Sequence, residues 1–351
     1  MASSLKLKLR SAAKWGWLLS LYASGQLRRA RKRLAQRGVL VLTFHRVLDD
    51  AEFATTFSPQ GMLVRRRTFE GFLKYAAENC HILGIDEHEA YWDDKSCCPK
   101  IVVTFDDGWA DNARNVFPIV QKNQVPLTVF IVAGKLDQAS PFWPERFTAL
   151  WRCAESSPQK IHQLEGLAGV APSGTNGHGH PSYEKLLMRM KQLPPEERES
   201  VLSKMAETMG SGVSHATQAA VDRTMSWAEV NEMARAKVTF GSHTQTHPIL
   251  PQLPVDSVQH ELSESKITIE QKLGKRCDLF SYPNGDSSKE VREEVVRSGY
   301  RFAFLNSPGL WTRECDPFSI PRVNVWEGKL AGPSGKFSKI LFEYAVFYKS
   351  L

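Results

Sequence analysis

A chain of 351 residues with 42% hydrophobic and 24% charged residues can bury one large core or two smaller ones, and its composition is that of a globular protein. The net charge of +7 comes from the start of the chain. Residues 1–48 contain eleven Lys and Arg but no Asp or Glu, which leaves 34 basic against 38 acidic residues elsewhere. Because the body of the protein is slightly acidic, we expect no nucleic-acid partner.

Residues 1–37 form a basic arm in which aromatic and leucine residues lie between clusters of Lys and Arg. The apolar stretch from Ala12 to Gly25 is interrupted by Lys14 and is too short for a spanning helix. We interpret the arm as an amphipathic helix that contacts an anionic membrane surface peripherally. Two alternatives stay open: a solvated helix that packs on its own domain, and a signal peptide with a weak cleavage site at Ala23-Ser24-Gly25.

The six cysteines show neither zinc-type CxxC spacing nor, in a chain of this length, the pattern of a disulfide framework. We interpret them as idle or buried thiols, which favours a reducing compartment. The expected location is therefore the cytoplasm or the inner face of the cytoplasmic membrane, with the periplasm as the alternative.

Short β-branched and aromatic runs alternate along the chain with stretches of helical periodicity. The predicted strands are Val39–Phe44, Ile101–Phe105, Leu127–Ala133, Val238–Gly241, Asp278–Tyr282 and Tyr300–Leu305. The predicted helices are Thr68–Asn79, Trp227–Ala236, Ser257–Leu273 and Val291–Ser298. Strands that alternate with helices indicate an α/β fold with a parallel sheet or barrel, whose active site lies at the carboxyl ends of the strands.

The stretch from Lys135 to Thr224 interrupts this alternation. It contains an aromatic segment at 142–144, a Gly-, Ser- and His-rich linker near 173–182, and two charged helical pieces at 183–193 and 195–209. We interpret residues 135–224 as an insertion on the catalytic face that serves as a lid or a substrate wall. The expected barrel then consists of residues 38–134 and 225–330, and residues 331–351 form a C-terminal tail.

Two motifs directly follow predicted strands. Thr104-Phe105-Asp106-Asp107-Gly108 follows one, and Ser242-His243-Thr244-Gln245-Thr246-His247 follows another. Each motif alone is equally typical of a polar surface turn. Because the carboxyl ends of parallel strands meet at one face, however, two carboxylates and two imidazoles can meet there. Two His and one Asp are suitable ligands for a divalent ion, and the second Asp is then free to act as a base.

From about Val39 to Val325 the sequence resembles the polysaccharide deacetylase family (NodB-homology domain, carbohydrate esterase family 4). The first family motif, Thr-Phe-Asp-Asp-Gly, is matched at 104–108, and the second, His-Ser/Thr-x-x-His, at 243–247. A bacterial branch of the family is similar in four further places: Phe44-His45-Arg46-Val47, a Phe-Trp-rich insertion, the segment from Met225 to Val230, and Tyr282-Pro283-Asn284-Gly285.

The resemblance implies a distorted (β/α)7-type barrel with a divalent metal at the C-terminal face of the barrel. The expected fold is therefore this barrel with the helical insertion on its catalytic face. The resemblance assigns the metal to Asp107, His243 and His247, and the general base to Asp106. We expect Zn²⁺, with Co²⁺, Ni²⁺ or Mn²⁺ as alternatives. The implied reaction removes N-acetyl groups from a bacterial polysaccharide or its glycan precursor, so the expected partner is an N-acetylated glycan.

The third family motif departs from its usual form, Arg-x-Pro-Tyr/Phe-Gly. The chain instead has Ser281 followed by Tyr-Pro-Asn-Gly, so the arginine that orients the base is replaced by serine. We expect Arg322 to supply the guanidinium, unless it is a surface arginine. If the backbone is retained, the N–H of Asn284 is the oxyanion donor, with Tyr282 beside it in the substrate region.

The late Leu-x-His motif of the family, which supplies the general acid, is missing, because no histidine follows His260. His45, at the end of the first predicted strand, is the expected substitute, unless it is a structural histidine. These departures leave open a catalytically inactive carbohydrate-binding homologue. A metal-dependent phosphatase is a further alternative, although its usual Asp-x-Asp signature does not match Asp106-Asp107.

Overall fold

Eight strands form one parallel sheet in the computed structural model, which describes residues 2–92, 98–138, 141–171, 182–210 and 221–349. They are β1 (Val39–Phe44), β4 (His81–Leu83), β5 (Lys100–Phe105), β6 (Thr128–Ile131), β7 (Thr239–Ser242), β8 (Leu279–Ser281), β9 (Phe302–Phe304) and β10 (Val323–Asn324). The short strands β2 (Arg46–Leu48) and β3 (Leu63–Arg65) form a separate parallel pair. The order in the main sheet is β10-β1-β5-β6-β7-β8-β9, and β4 pairs with the first half of β5.

Helices connect and flank these strands. They are α1 (Ala2–Ala23), α2 (Gln26–Ala35), α3 (Asp50–Thr55), α4 (Arg66–Asn79), α5 (Phe117–Lys122), α6 (Trp143–Ala154), α7 (Pro158–Leu167), α8 (Ser182–Gln192), α9 (Pro195–Met209), α10 (Trp227–Arg235), α11 (Val255–Leu273), α12 (Lys289–Arg297), α13 (Glu327–Leu330) and α14 (Lys339–Phe342). Asn112–Val116 and Glu343–Tyr348 are π-helical. Local sequence sets several helix ends: Ser226 and Glu229 form a capping box before α10, and Gly274 ends α11 in a left-handed conformation.

The sheet curls into a half-barrel, which confirms the predicted α/β fold. Its two end strands, β9 and β10, are joined through irregular backbone: Ala303 N–H donates to Pro317 O, and Leu305 N–H donates to Ile320 O. All six predicted strands are present, with ends displaced by no more than two residues. The sequence did not predict the strands β2, β3, β4 and β10, which are two or three residues long.

Alternate residues of each strand enter two different apolar clusters, as the period of two in a strand requires. On the inner face, Val41, Val102, Phe130, Leu279 and Phe304 pack together. Their neighbours on the outer face pack in the larger core that includes residues of α4 and α11. Along the inner face of β5, Val102 is followed by Thr104 and then, just beyond the strand, by Asp106. The interior of the half-barrel thus changes from apolar to polar at the carboxyl ends of the strands.

Gly241 is the inward-facing residue of β7. A Cβ at this position would lie 2.7 Å from the ring of Phe130 and 3.0 Å from Cβ of Leu279. The absence of a side chain therefore lets Phe130 fill the interior beside β7.

Helices α6 to α9, which belong to the predicted insertion, bury an apolar core of their own that includes Phe147, Leu164 and Met205. The first turn of α6 borders the carboxyl ends of the strands, where Trp143 and Glu145 line a cleft. Of the predicted linker near 173–182, all but the last residue lies outside the described residues.

The N-terminal helices pack on the end of the chain. α2 buries Leu27 and Leu34 and lies against the π-helical turn Glu343–Tyr348. The ring of Trp17 on α1 contacts that of Tyr344 edge to face, with centroids 5.0 Å apart. No helix among the described residues combines the length and apolar character needed to cross a membrane.

We predict that Gly241→Ala destabilises the protein by about 1–3 kcal/mol, because the added methyl group overpacks the barrel interior against Phe130. Gly166→Ala, the matched control within α7, meets no atom within 4 Å and should stabilise by about 0.5–1 kcal/mol. Urea denaturation of both variants measures the difference. Equal effects of the two substitutions would show that the interior beside β7 has spare room.

Candidate metal and catalytic site

A cleft of about 250 Å³ opens at the carboxyl ends of the strands. The side chains of Asp106, Asp107, His243 and His247 line it together with His45. Strands β5 and β7 are separated only by β6 in the sheet, so the loops that follow them meet although their motifs are far apart in sequence.

Asp107, His243 and His247 bring one ligand atom each into a group whose members lie within 4.8 Å of one another. Oδ1 of Asp107 lies 3.5 Å from Nε2 of His243 and 3.4 Å from Nε2 of His247. Tetrahedral coordination with ligand bonds of 2.0–2.2 Å places ligand atoms about 3.3–3.6 Å apart. These three residues therefore fit a divalent metal ion.

Hydrogen bonds orient two of the three ligands. Nδ1 of His243 lies 2.7 Å from the carbonyl oxygen of Ser281, which can only accept, so Nδ1 carries the proton and Nε2 is free to bind a metal. The indole Nε1–H of Trp109 donates to Oδ2 of Asp107 at 2.9 Å, which leaves Oδ1 facing the two imidazoles. The ligand atoms are thus directed before any ion binds.

The loops that carry these ligands have unusual backbone conformations. Asp107, Thr244, His247 and Asn284 all have φ between 59° and 72°, in the left-handed region that non-glycine residues avoid. Glu261 holds the histidine loop in place. Its carboxylate accepts hydrogen bonds from two successive N–H groups at 245 and 246 and from a threonine hydroxyl. Strained residues that are held by such contacts are typical of functional sites.

Electrostatics keeps two of the three groups, His247 and Asp107, in the forms that bind metal. Burial lowers the pKa of His247 to about 4, with a further contribution from His243, so this imidazole is neutral at pH 7. Burial opposes ionisation of Asp107, but its hydrogen bond with His243 and the nearby imidazoles hold the pKa of its carboxyl far below the usual range. For His243, burial is outweighed by Asp106 and Asp107, which raise its pKa.

Asp106 is held by a guanidinium. Nη1 of Arg322 donates to Oδ1 at 2.8 Å, and Nη2 donates to Oδ2 at 2.6 Å. Burial disfavours the carboxylate, but Arg322 and then His243 outweigh it and lower the pKa of Asp106. Nη2 also donates to Oγ of Ser281 at 2.8 Å, and Nε donates to Leu305 O at 2.9 Å. Arg322 is fully buried, so it is not a surface arginine.

His45 borders the cleft, and its Nδ1 is buried without a hydrogen-bond partner among the described residues. Burial lowers the pKa of this imidazole, although the nearby Asp107 and Asp106 partly offset the effect. Its backbone carbonyl accepts a hydrogen bond from Asn112. The side chain is therefore free to interact with a bound molecule.

Asn284 lies at the cleft, whereas the side chain of Tyr282 lies in the core. Asn284 lines the cleft, and the turn's backbone hydrogen bonds use the N–H groups of Gly285 and Asp286 but not that of Asn284. Tyr282 is fully buried in the core, and its hydroxyl donates to Phe318 O at 3.0 Å. Its backbone N–H donates to Phe304 O. The Tyr282 side chain thus does not reach the cleft.

Glu145 is a cleft residue that the sequence did not point to. It is 2% exposed, its Oε1 accepts a hydrogen bond from Ser58 at 2.8 Å, and its Oε2 has no partner among the described residues. Burial, followed by the negative charge of Asp222, raises its pKa to about 8. Glu145 is therefore mostly protonated at neutral pH. Its place after Phe142-Trp143-Pro144 was the available signal, but burial of a charged residue is not visible in sequence.

A buried arginine ties the insertion to the barrel. Arg46 donates to Asp111 at 2.9 Å and to the hydroxyls of Thr56 and Ser58 at 2.9 Å each, and it pairs with Asp222. Its guanidinium also lies 4.3 Å from the centroid of the Trp109 ring. Contacts through Trp109, Arg46 and Ser58 thus connect the candidate metal site with Glu145.

Known proteins resemble this chain in sequence. The family model described as polysaccharide deacetylase matches residues 93–303, more than half of the chain. YxkH of Bacillus subtilis (strain 168) is 19% identical over 283 residues, covering 80% of this chain and 72% of YxkH.

Solved structures show the same fold. IcaB from Ammonifex degensii aligns with a TM-score of 0.53 at 18% identity, covering 89% of this chain and 97% of IcaB. The Streptococcus pyogenes deacetylase PplD in complex with acetate aligns with a TM-score of 0.52 at 16% identity, covering 83% of this chain and 94% of PplD.

We predict that Asp107→Ala, His243→Ala and His247→Ala each abolish stoichiometric metal binding, because a site with three protein ligands has none to spare. Elemental analysis of the purified variants measures the bound metal, and circular dichroism checks that each variant is folded. His260→Ala, which removes an exposed histidine on α11, is the control and should retain the metal. Full occupancy in any of the three folded variants would contradict this ligand set.

Proposed function

The chain belongs to the polysaccharide deacetylase family and is an enzyme of that class, and from this premise we propose that it removes N-acetyl groups from a bacterial polysaccharide or its glycan precursor with the aid of a divalent metal. The observation that carries the proposal is the pairing of an Asp-His-His group with a second, arginine-held aspartate in one cleft. Metal-assisted hydrolysis needs both parts.

Asp107, His243 and His247 would hold the ion. A divalent metal bound there would lower the pKa of water and polarise the acetamide carbonyl. Zn²⁺ is our choice because two imidazoles and a carboxylate suit it, and Co²⁺, Ni²⁺ and Mn²⁺ are compatible with the same donors.

Asp106 acts as the general base in this proposal. Because Arg322 keeps its carboxylate ionised and holds both oxygens, Asp106 can take a proton from the attacking water in a fixed orientation. Asn284 lines the cleft and the hydrogen bonds of its turn leave its N–H unused, so in this proposal that N–H stabilises the oxyanion.

Two cleft residues qualify as the acid that protonates the departing amine. His45, our choice from the sequence, has an unpartnered buried Nδ1, but its lowered pKa makes it neutral at pH 7 until it receives a proton. Glu145 is favoured by its pKa of about 8, which keeps a proton on the carboxyl at neutral pH, and by its unpartnered Oε2.

The substrate wall comes in part from the insertion. Trp143 and Leu187 line the cleft together with Met62 and Ile249, and such apolar surfaces pack well against the faces of a sugar ring. The cleft volume of about 250 Å³ lies below the range of about 300–1,000 Å³ that is usual for ligand pockets. We therefore propose that the cleft holds a single acetylated sugar unit and that neighbouring units lie outside it.

Release of acetate from N-acetylated oligosaccharides tests the proposal. Protein stripped of metal by a chelator should be inactive, and addition of Zn²⁺, Co²⁺, Ni²⁺ or Mn²⁺ should restore the release. Absence of acetate with every metal and every glycan, in protein shown to bind metal, would favour the inactive homologue. Release of phosphate from phosphorylated sugars would favour the phosphatase.

We predict that Asp106→Asn retains the metal and lowers kcat by about 10²–10⁴-fold, because an amide has the shape of the carboxylate but cannot accept the proton. Metal content and kcat are measured on the same preparation. Arg322 then loses its ionic partner, so thermal unfolding is recorded as well. An Asn variant that keeps near-normal kcat would exclude Asp106 as the base.

The pH dependence of kcat/KM distinguishes the two acids. If Glu145 donates the proton, the rate falls as the pH rises above about 8, since the carboxyl is then ionised, and Glu145→Gln removes this alkaline decline along with most activity. If His45 donates it, the decline begins at a lower pH, because burial lowers the pKa of that imidazole; His45→Ala then removes the decline and Glu145→Gln leaves it in place. A decline that persists in both variants would assign the proton to another group.

A further inference from the structure

A second cavity, of about 490 Å³, lies between α1 and the C-terminal segment, outside the catalytic cleft. Three lysines border it, Lys14, Lys329 and Lys349, and we refer to it as the lysine pocket. Lys14 belongs to the basic arm, whereas the other two lie more than 300 residues further along the chain. The pocket therefore exists only because the arm packs against the end of the chain.

None of the three lysines pairs with a carboxylate within the part of the chain that the structure describes. Burial lowers the pKa of Lys329, and the nearby charge of Lys349 lowers it further. Nζ of Lys329 donates to the carbonyl oxygen of Asn324 at 2.7 Å, and Nζ of Lys349 lies 5.2 Å from the centroid of the Tyr344 ring. Like charges brought together without a counter-charge repel one another, and a bound anion would relieve that repulsion.

The remainder of the pocket is apolar. Trp17, Leu341 and Tyr344 contribute to its wall, and Leu341 is buried. Trp17 is nevertheless 46% exposed, and α1 also exposes Leu19 and Tyr22, at 52% and 46%. A small hydrated anion would gain nothing from such a wall. An amphiphile that carries a phosphate and an apolar chain would use both the lysines and the wall.

We propose that the lysine pocket binds the phosphate headgroup of an anionic phospholipid at a membrane surface. Lys14, Lys329 and Lys349 bind the phosphate, while Trp17 and Tyr344 contact the apolar part of the lipid next to it. The basic arm predicted a membrane contact through residues 1–37 alone. In this proposal the contact is composite, and two of its three charges come from the C-terminal segment.

The lysine pocket and the catalytic cleft share strand β10. Val323 borders the pocket, and the next residue, Asn324, borders the cleft and accepts the hydrogen bond of Lys329. The pocket and the cleft are therefore neighbours across β10, and a headgroup in the pocket would bring the membrane surface close to that strand. This arrangement suits a glycan presented close to a membrane.

Sedimentation of the full chain with vesicles tests the proposal. Vesicles are made of phosphatidylcholine alone or with phosphatidylglycerol added. The double variant Lys329→Gln/Lys349→Gln should bind the phosphatidylglycerol vesicles roughly 30-fold more weakly than the natural protein, given about 1 kcal/mol for each basic residue near an anionic surface. Point variants are preferred to deletion of residues 1–37, because deletion would uncover the core contacts of Leu27 and Leu34.

Two matched variants distinguish binding in a defined pocket from nonspecific attraction of the positively charged surface to the vesicles. Lys204→Gln/Lys275→Gln removes the same charge from exposed positions elsewhere and should weaken binding by less than about 3-fold. Lys329→Arg/Lys349→Arg retains the charge and should restore binding. Equal losses in the two glutamine variants, or undiminished binding by Lys329→Gln/Lys349→Gln, would overturn the proposal.

Inorganic phosphate distinguishes a lipid from a free anion. Calorimetric titration of the natural protein with inorganic phosphate should show no saturable binding, and millimolar phosphate should release the protein from vesicles no more than chloride at the same ionic strength does. Trp17→Ser should weaken vesicle binding, because it removes an apolar wall. Tight binding of free phosphate, or unaltered vesicle binding by Trp17→Ser, would show that the pocket recognises the anion alone and would overturn the lipid assignment.

Discussion

Asp106 and Arg322 meet through two parallel hydrogen bonds in a buried site, where each group compensates the charge of the other. The carboxylate follows β5, whereas the guanidinium comes from the irregular segment that leads from β9 into β10. Removal of one partner from such a pair typically costs about 3–5 kcal/mol, because the other charge stays buried. The same contact therefore joins the end of β5 to the segment that precedes β10 and fixes the orientation of the Asp106 carboxylate.

Two adjacent carboxylates acquire different roles because they have different partners. Asp106 faces a permanent cation, while the positive φ of Asp107 turns its side chain towards two imidazoles and an indole N–H. The indole of Trp109 also lies on the guanidinium of Arg46, which binds Asp111 and Asp222. A contiguous polar network thus extends from the Asp-His-His group of the proposed metal site to Glu145 in the insertion, so this part of the cleft wall is anchored to the residues that support that group.

Much of this arrangement could be predicted from the sequence, because it depends on local patterns. Short β-branched and aromatic runs located β1 and β5 to β9, and the two motifs after β5 and β7 located the cleft. The turn after β8 sets a limit: Asn284, with a φ of 59°, lines the cleft, but Tyr282, two residues earlier, directs its ring into the core, so proximity in sequence did not ensure a place in the site. Burial of Glu145 and packing of α1 against Tyr344 depend on distant segments, which leave no periodic signal.

The serine in the third motif can be understood from the same ion pair. Ser281 Oγ accepts a hydrogen bond from Arg322 and lies 3.4 Å from Oδ2 of Asp106, so a small hydroxyl occupies the space beside the carboxylate. An arginine at position 281 would bring a second cation to one buried carboxylate already satisfied on both oxygens, and its unpaired charge would be costly there. Position 281 is therefore free to be small because position 322 supplies the guanidinium. The physical requirement is a cation on the base aspartate, and the strand from which that cation comes can change.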